Sequence, residues 1–451
     1  MARSRYEIDM LNGPMMPKLV TFALPLLLSS ILQLLFNAVD IIVVGNFTGS
    51  EALAAVGSTT ALINIFTNLF IGMSMGASVL AARKYASAAY EEMGKAVHTA
   101  ILLALICGCF MVFVGLFFSK PALELMGTPD NVIGQAVLYM RIYFAGMPFF
   151  MLYNYGAAIL RAVGDTRRPL VILTAAGVVN AALNMFLVIV FSMGVAGVAI
   201  ATVISQGISC TLVLRCLIKS EGPYHLDLRR LHLDKHCLKR ICQVGIPTGI
   251  QSCVISFSNV LLQSSVNSFG AVSMAGYTAA NNLMGFLYMG VNSITQAAMS
   301  FTSQNLGARK FRRIDRLMFD CLVLEFITAG LMGSMGFLFG RPLLGIYTTN
   351  EEVVTAGMEI ISVTFLPYFL CGFMDMIPGI MRGLGHAFVP MLLSLIGTVG
   401  VRMAWIFLYF PSHRSLRQLF YCYPLSWGST VLMQAICFFF VRRMVWKKYQ
   451  V

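Results

Sequence analysis

Apolar stretches of about 20 residues recur along the chain, the length an α-helix needs to cross roughly 30 Å of hydrocarbon. Twelve are read, at 18–43, 52–80, 95–118, 131–157, 169–191, 194–215, 240–266, 275–303, 316–339, 353–379, 388–410 and 418–441. Composition agrees: 58% of the 451 residues are hydrophobic and 11% are charged, against about a quarter charged in an ordinary soluble domain. No soluble interior could hide that much apolar surface, so much of it must face lipid. The longest polar stretch is 216–239, which leaves no room for a soluble domain. The run after Lys18 has full span length and no small-residue cleavage site, so a membrane helix is expected there rather than a cleaved signal peptide.

The net charge of +13 raises the question of nucleic acid, but the placement of the charges answers it. The odd-numbered connections hold only Lys120, Arg341, Arg414 and Arg417, whereas the tails and even-numbered connections hold 26 of the 32 Lys and Arg. Such asymmetry is the positive-inside pattern and puts both termini in the cytoplasm. The basicity encodes topology, and a nucleic-acid partner is not expected. Eleven cysteines are scattered mainly in or beside spans with no CxxC, so they read as small packing residues. His232 and His236, four apart in the connection 216–239, read as a solvated or interfacial face rather than a metal site.

The chain repeats itself at an offset of 221 residues. Arg161-Ala162-Val163-Gly164 followed by Pro169 recurs as Arg382-Gly383-Leu384-Gly385 followed by Pro390. Pro121 meets Pro342, Thr128 meets Thr349, Gly49 meets Gly270, and Pro25 meets Pro247 after a one-residue shift. Six spans per half is an even number, so both halves enter from the same side and the repeat is parallel, as in some transporters. The expected organisation is an N-terminal lobe at 1–215, a cytoplasmic connection at 216–239, and a C-terminal lobe with a basic tail at 240–451.

These residues resemble a known family, the multidrug and toxic compound extrusion (MATE) transporters. The resemblance lies in Phe22-Ala23-Leu24-Pro25, Asn37-Ala38-Val39-Asp40 with Gly45, Ala52-Leu53-Ala54-Ala55-Val56-Gly57, Leu160 through Thr166, and Gly194 through Thr202. It covers nearly the whole chain, with the motifs in the right order. It implies an all-α integral membrane protein of twelve transmembrane helices in two pseudo-symmetric six-helix lobes. The implied activity is export of small cationic or amphipathic organic compounds, such as drugs or toxins, by antiport with H⁺ or Na⁺. No cofactor, no catalytic residue and a monomeric protein in the cell membrane are expected with it.

An ionisable group inside a span is costly and marks a functional candidate. Here these are Asp40, Arg141, Asp320, Glu325, Glu359, Asp375 and Arg402. At about 1.5 Å per residue, Asp40 lies ~8 Å from the outer end of span 1, and Asn184 and Thr202 lie ~10–12 Å from the same face. Asn180 and Asn184, four apart, share a helix face. One carboxylate with amide and hydroxyl oxygens at similar depth suits a hard cation, or a proton on Asp40. The resemblance makes Asp40, Asn180, Asn184 and Thr202 the cation site of the N-terminal lobe, with Na⁺ at Asp40 the only metal admitted. The chain departs from the family at Asn184, where many members carry a second Asp, which leaves H⁺ and Na⁺ both open. In the second half, span 7 lacks the Glu of the sodium-coupled branch. Asp375, whose counterpart is Asn154, either meets a cationic substrate from the cytoplasm or pairs locally. Glu325 and Arg402 lie within about 5 Å in depth and are expected to form a structural ion pair.

The Met- and Phe-rich composition suits a promiscuous cavity but also any membrane bundle. Gly72-Met73-Ser74-Met75-Gly76 marks close helix packing. A flippase for lipid-linked saccharides would share the architecture, yet it favours a cationic cavity, and only Arg141 and Arg402 lie within spans. A membrane-embedded enzyme is disfavoured by the lack of HExxH, paired metal-spaced acids or a Ser-His dyad within spans.

Overall fold

A computed structural model describes residues 6–449; residues 1–5 and 450–451, parts of the two tails expected in the cytoplasm, lie outside the described residues. Helices account for nearly all of it, and no strand occurs among the described residues. The first half holds α1 (Met15–Phe47), α2 (Ser50–Ala86), α3 (Tyr90–Leu125), α4 (Asp130–Ala145), α5 (Met147–Ala162), α6 (Arg167–Met185) and α7 (Gly194–Ile218). The second holds α8 (Lys235–Asn267), α9 (Ala271–Gly307), α10 (Phe311–Leu338), the short α11 (Gly340–Gly345), α12 (Glu351–Thr364), α13 (Tyr368–Gly383), α14 (Phe388–Ser394), α15 (Val401–Ala404), α16 (Leu416–Phe420) and α17 (Cys422–Lys448).

Among the described residues nine helical stretches are long and apolar enough to span a membrane, or eleven if each of two bent pairs is one span. The twelfth expected span lies in α9, which is 37 residues long. Asn281, Asn282, Asn292, Gln296, Gln304 and Asn305 dilute its hydropathy, and protein buries much of it, as a span shielded from lipid permits. Two expected straight spans are bent instead. The spans 131–157 and 353–379 appear as α4 with α5 and α12 with α13, turned by 47° and 52° at Gly146 and at Phe365–Pro367. Proline has no backbone N–H to donate, so Pro148 and Pro367 sit where a helix restarts.

The chain forms two compact units: Met1–Asp9 with Leu28–Gly249, and Met10–Leu27 with Ile250–Val451. The division runs through α1 and α8 two residues after Pro25 and Pro247. The 221-residue repeat reappears in the backbone itself. Gly49 and Gly270 precede α2 and α9 at φ of 97° and 93°, and Gly164 and Gly385 turn the chain at 100° and 88°. These values lie in the region that glycine alone enters without strain. A Cβ on Gly164 would also strike the backbone of Ile8, whose N–H donates to the Gly164 carbonyl at 3.2 Å.

The core of the first unit gathers Met111, Phe144, Met151 and Tyr155; that of the second gathers Phe365, Tyr368, Phe420 and Trp427. In the first unit α2 meets the start of α8 through glycines. A Cβ on Gly72 would overlap the backbone of Gly249, one on Gly76 the carbonyl of Ile241, and one on Gly245 the Cα of Met73. The connection 216–239 is tied to α3: His98 Nδ1 donates to the Gly94 carbonyl at 2.6 Å, and its Nε2 accepts from the backbone N–H of Asp227 at 3.1 Å. The exposed His232 ring stacks on that of His98, with centroids 6.0 Å apart.

Candidate functional site

Asp40 reaches α6 because Gly177 lets α1 come close. The Phe36 ring, one turn before Asp40, lies where a Gly177 side chain would be. Asn184 donates its amide to Asp40 Oδ1 and, at 2.7 Å, to Asn180 Oδ1. Both donations use the same nitrogen, so the Asn184 carbonyl oxygen points elsewhere; it is buried and has no hydrogen-bond partner. A buried carbonyl left unpaired costs about 1–3 kcal/mol, and an oxygen-seeking cation would satisfy it. Thr202 donates to the Val198 carbonyl at 3.0 Å, which leaves its own lone pairs available. Asp40, Asn180 and Asn184 are linked by these bonds, and Thr202 shares a cavity wall with Asp40 and Asn180. Oxygen donors of this kind suit a hard cation.

Asp40, Asn180 and Thr202 open on a cavity of about 340 Å³, with Asn184 behind them. Among the described residues Asp40 is the only charged one in its wall, which otherwise consists of amides (Gln33, Asn37, Asn64, Asn68, Gln206), hydroxyls (Thr67, Ser205, Ser209), rings (Phe36, Tyr139, Tyr143, Phe150, Tyr153) and apolar groups. Sequence reading singled out few of these. A signal was present, because Asn64 with Asn68 and Tyr139 with Tyr143 are polar pairs four apart inside apolar spans. Among the described residues no group of three or more His, Cys, Asp or Glu could hold a metal ion.

In the second unit the expected ion pair is not made. Glu325 is fully buried, and neither carboxylate oxygen has a hydrogen-bond partner; its carboxyl packs against Gly372 of α13. Arg402 bonds instead to Asn259 of α8 at 3.0 Å and to Ser426 of α17 at 3.3 Å. Similar depth along two helices says nothing of the faces on which the residues lie. Asp375 is in electrostatic reach of Arg382 and in hydrogen-bond reach of the Tyr288 hydroxyl, so it has local partners. Asn154 donates back to the Phe150 carbonyl at 2.8 Å.

The unpaired Glu325 leads to a prediction. An unsatisfied buried polar group costs about 1–3 kcal/mol, so Glu325→Met, similar in length, should raise the thermal unfolding temperature in detergent. A lower unfolding temperature would show that the carboxyl has a partner after all.

The MatE family model matches residues 25–186 and 247–408, one match in each half. A probable multidrug resistance protein of Bacillus subtilis, YoeA, is 29% identical over 95% of this chain and 94% of its own. An FAD transporter of Shewanella oneidensis is 24% identical over 76% and 77%. The fold is that of an outward-facing multidrug resistance MATE family transporter, with TM-score 0.90 at 20% identity over 99% of this chain and all of that one. Members of the matched family are ion-coupled membrane transporters of small molecules, not enzymes, and need no cofactor. The protein is thus an integral membrane transporter, and it belongs to the MatE family.

Proposed function

We propose that the protein is a secondary active exporter that expels small cationic or amphipathic organic compounds in exchange for H⁺ or Na⁺ bound at Asp40. One observation supports this most: among the described residues that line the 340 Å³ cavity, Asp40 is the single charge. One carboxylate can serve the coupling ion and an organic cation in turn, which is what antiport requires. Asn180, Asn184 and Thr202 supply neutral oxygens around it. The same charge bears on the substrate. The relatives' names point both to drugs and to FAD, and FAD is an anion at neutral pH. An acidic, ring-lined wall suits a cation better. The test uses cells stripped of their own exporters. Expression of the protein should lower their content of a fluorescent organic cation and leave a fluorescent organic anion unchanged. Export of the anion alone would sink this reading.

Orientation is part of the proposal: both tails and the connection 216–239 face the cytoplasm, in a protein that works as a monomer. The skewed Lys and Arg distribution supports it. Cysteines placed at Lys235 and Lys448 should escape a membrane-impermeant thiol reagent in intact cells and react after permeabilisation, each compared with the unaltered chain. Labelling of either in intact cells would reverse the topology.

A further inference from the structure

The repeat allows the cation site of the first unit to be looked up in the second. In the first helix of each half the offset is 222 at Pro25 and Pro247, so Asn37 corresponds to Asn259 and Asp40 to Leu262. An offset of 221 would make the counterpart Leu261, so the acid is replaced by leucine in either register. In the last helix the register is set by hydrogen bonds. Ser205 donates to the Thr202 carbonyl and Ser209 to the Ser205 carbonyl; Ser426 donates to the Tyr423 carbonyl and Thr430 to the Ser426 carbonyl. Thr202 and Ser205 therefore correspond to Tyr423 and Ser426. In between, Pro169 and Pro390 are 221 apart, and the π-helical turn Leu395–Gly400 then adds one residue, as such turns do. The family matches end at 186 and 408, an offset of 222. Asn180 thus corresponds to Arg402.

The counterparts that surround the cation place of the first unit hold a guanidinium in the second. Arg402, only 3% exposed, bonds to Asn259 and Ser426, and its guanidinium lies 4.3 Å from the centre of the Tyr423 ring. Among the described residues its partners are Asn259, Ser426 and the Tyr423 ring, none of them a carboxylate. A charge buried with no counter-ion among the described residues is costly and marks a function rather than a packing need.

We propose that Arg402 is a tethered cation, occupying in the second unit the place that the exchangeable coupling cation occupies in the first. This rests on reading Asp40 as the coupling site. Because the guanidinium cannot leave, the second unit binds no exchangeable ion there, and ion exchange is confined to the first.

Chemical rescue tests the proposal in the full-length purified protein. Arg402→Ala empties the place, and millimolar methylguanidinium should refill it. Methylguanidinium should move the unfolding temperature back toward that of the wild type and restore export in proteoliposomes, whereas methylurea, the same shape without charge, should do neither. Equal rescue by methylurea, or none by methylguanidinium, overturns the proposal. Should Arg402→Ala fail to fold, Arg402→Lys and Arg402→Gln decide the matter: the lysine variant should export within about tenfold of the wild type, and the glutamine variant should lose more than about tenfold. Equal export by the two overturns it. The thermal response of Arg402→Ala to methylguanidinium should persist in an Asp40→Asn background. Loss of that response fells the tethered cation alone. Normal export by Asp40→Asn with the response intact fells the Asp40 reading and leaves the cation place in the second unit standing.

Discussion

Gly76→Leu is expected to prevent the first unit from assembling. α2 and α8 cross with glycine on both sides, and a Cβ on Gly72, Gly76, Gly245 or Gly249 would overlap backbone of the opposite helix. In lipid no hydrophobic force drives helices together, so their association relies on close approach and van der Waals contact. Overpacking costs about 1–3 kcal/mol where side chains can shift. At this crossing the obstacle is a peptide carbonyl, so the helices themselves must separate and the cost lies at or above the top of that range. Little monodisperse protein should survive detergent extraction. Gly57→Leu, in the same helix at a position where a Cβ meets nothing within 4 Å, should extract and melt like the wild type. Normal extraction of Gly76→Leu would mean that the helices do not cross this closely.

Asp40→Asn is expected to reach the membrane at normal levels and to lose more than about tenfold of its export. The amide preserves shape and can still bond Asn184, and a neutral group is cheaper to bury than a carboxylate. Stability should therefore hold or rise. What disappears is the charge and the ability to take up and release a cation. Asn180→Ala and Thr202→Ala each remove one neutral oxygen and should reduce export less. Asn184→Ala stands between them, since it removes the donor to Asp40 and Asn180 together with the unpaired buried oxygen. Drug susceptibility of exporter-deficient cells, normalised to the amount of protein in the membrane, ranks the four variants. A Thr202→Ala variant weaker than Asp40→Asn would contradict the order.

The parts of the fold legible in the sequence were those written as period and repetition. Span-length apolar runs gave the helices, and the match of Arg161–Gly164 with Arg382–Gly385 gave the two halves, down to paired left-handed glycines. Asp40, Asn180, Asn184 and Thr202 could be brought together because helix rise predicts depth and spacing predicts a shared face. Azimuth between helices is not written in one helix, so Glu325 and Arg402, matched in depth, turn to different neighbours. The bends at Gly146 and Pro367 are not legible in the sequence, because an apolar run looks the same whether the helix within it is straight or broken. The π-helical turn at Leu395–Gly400 is likewise silent in composition, yet its one extra residue decides that Arg402 answers Asn180.

The most direct measurement is transport in proteoliposomes with a pH gradient and a Na⁺ gradient imposed one at a time. Wild-type protein should concentrate an organic cation under at least one of them. Asp40→Asn should concentrate it under neither, while gradient-free exchange of labelled for unlabelled substrate continues. Concentration of the substrate by Asp40→Asn at the wild-type rate, under either gradient, would contradict the role assigned to Asp40.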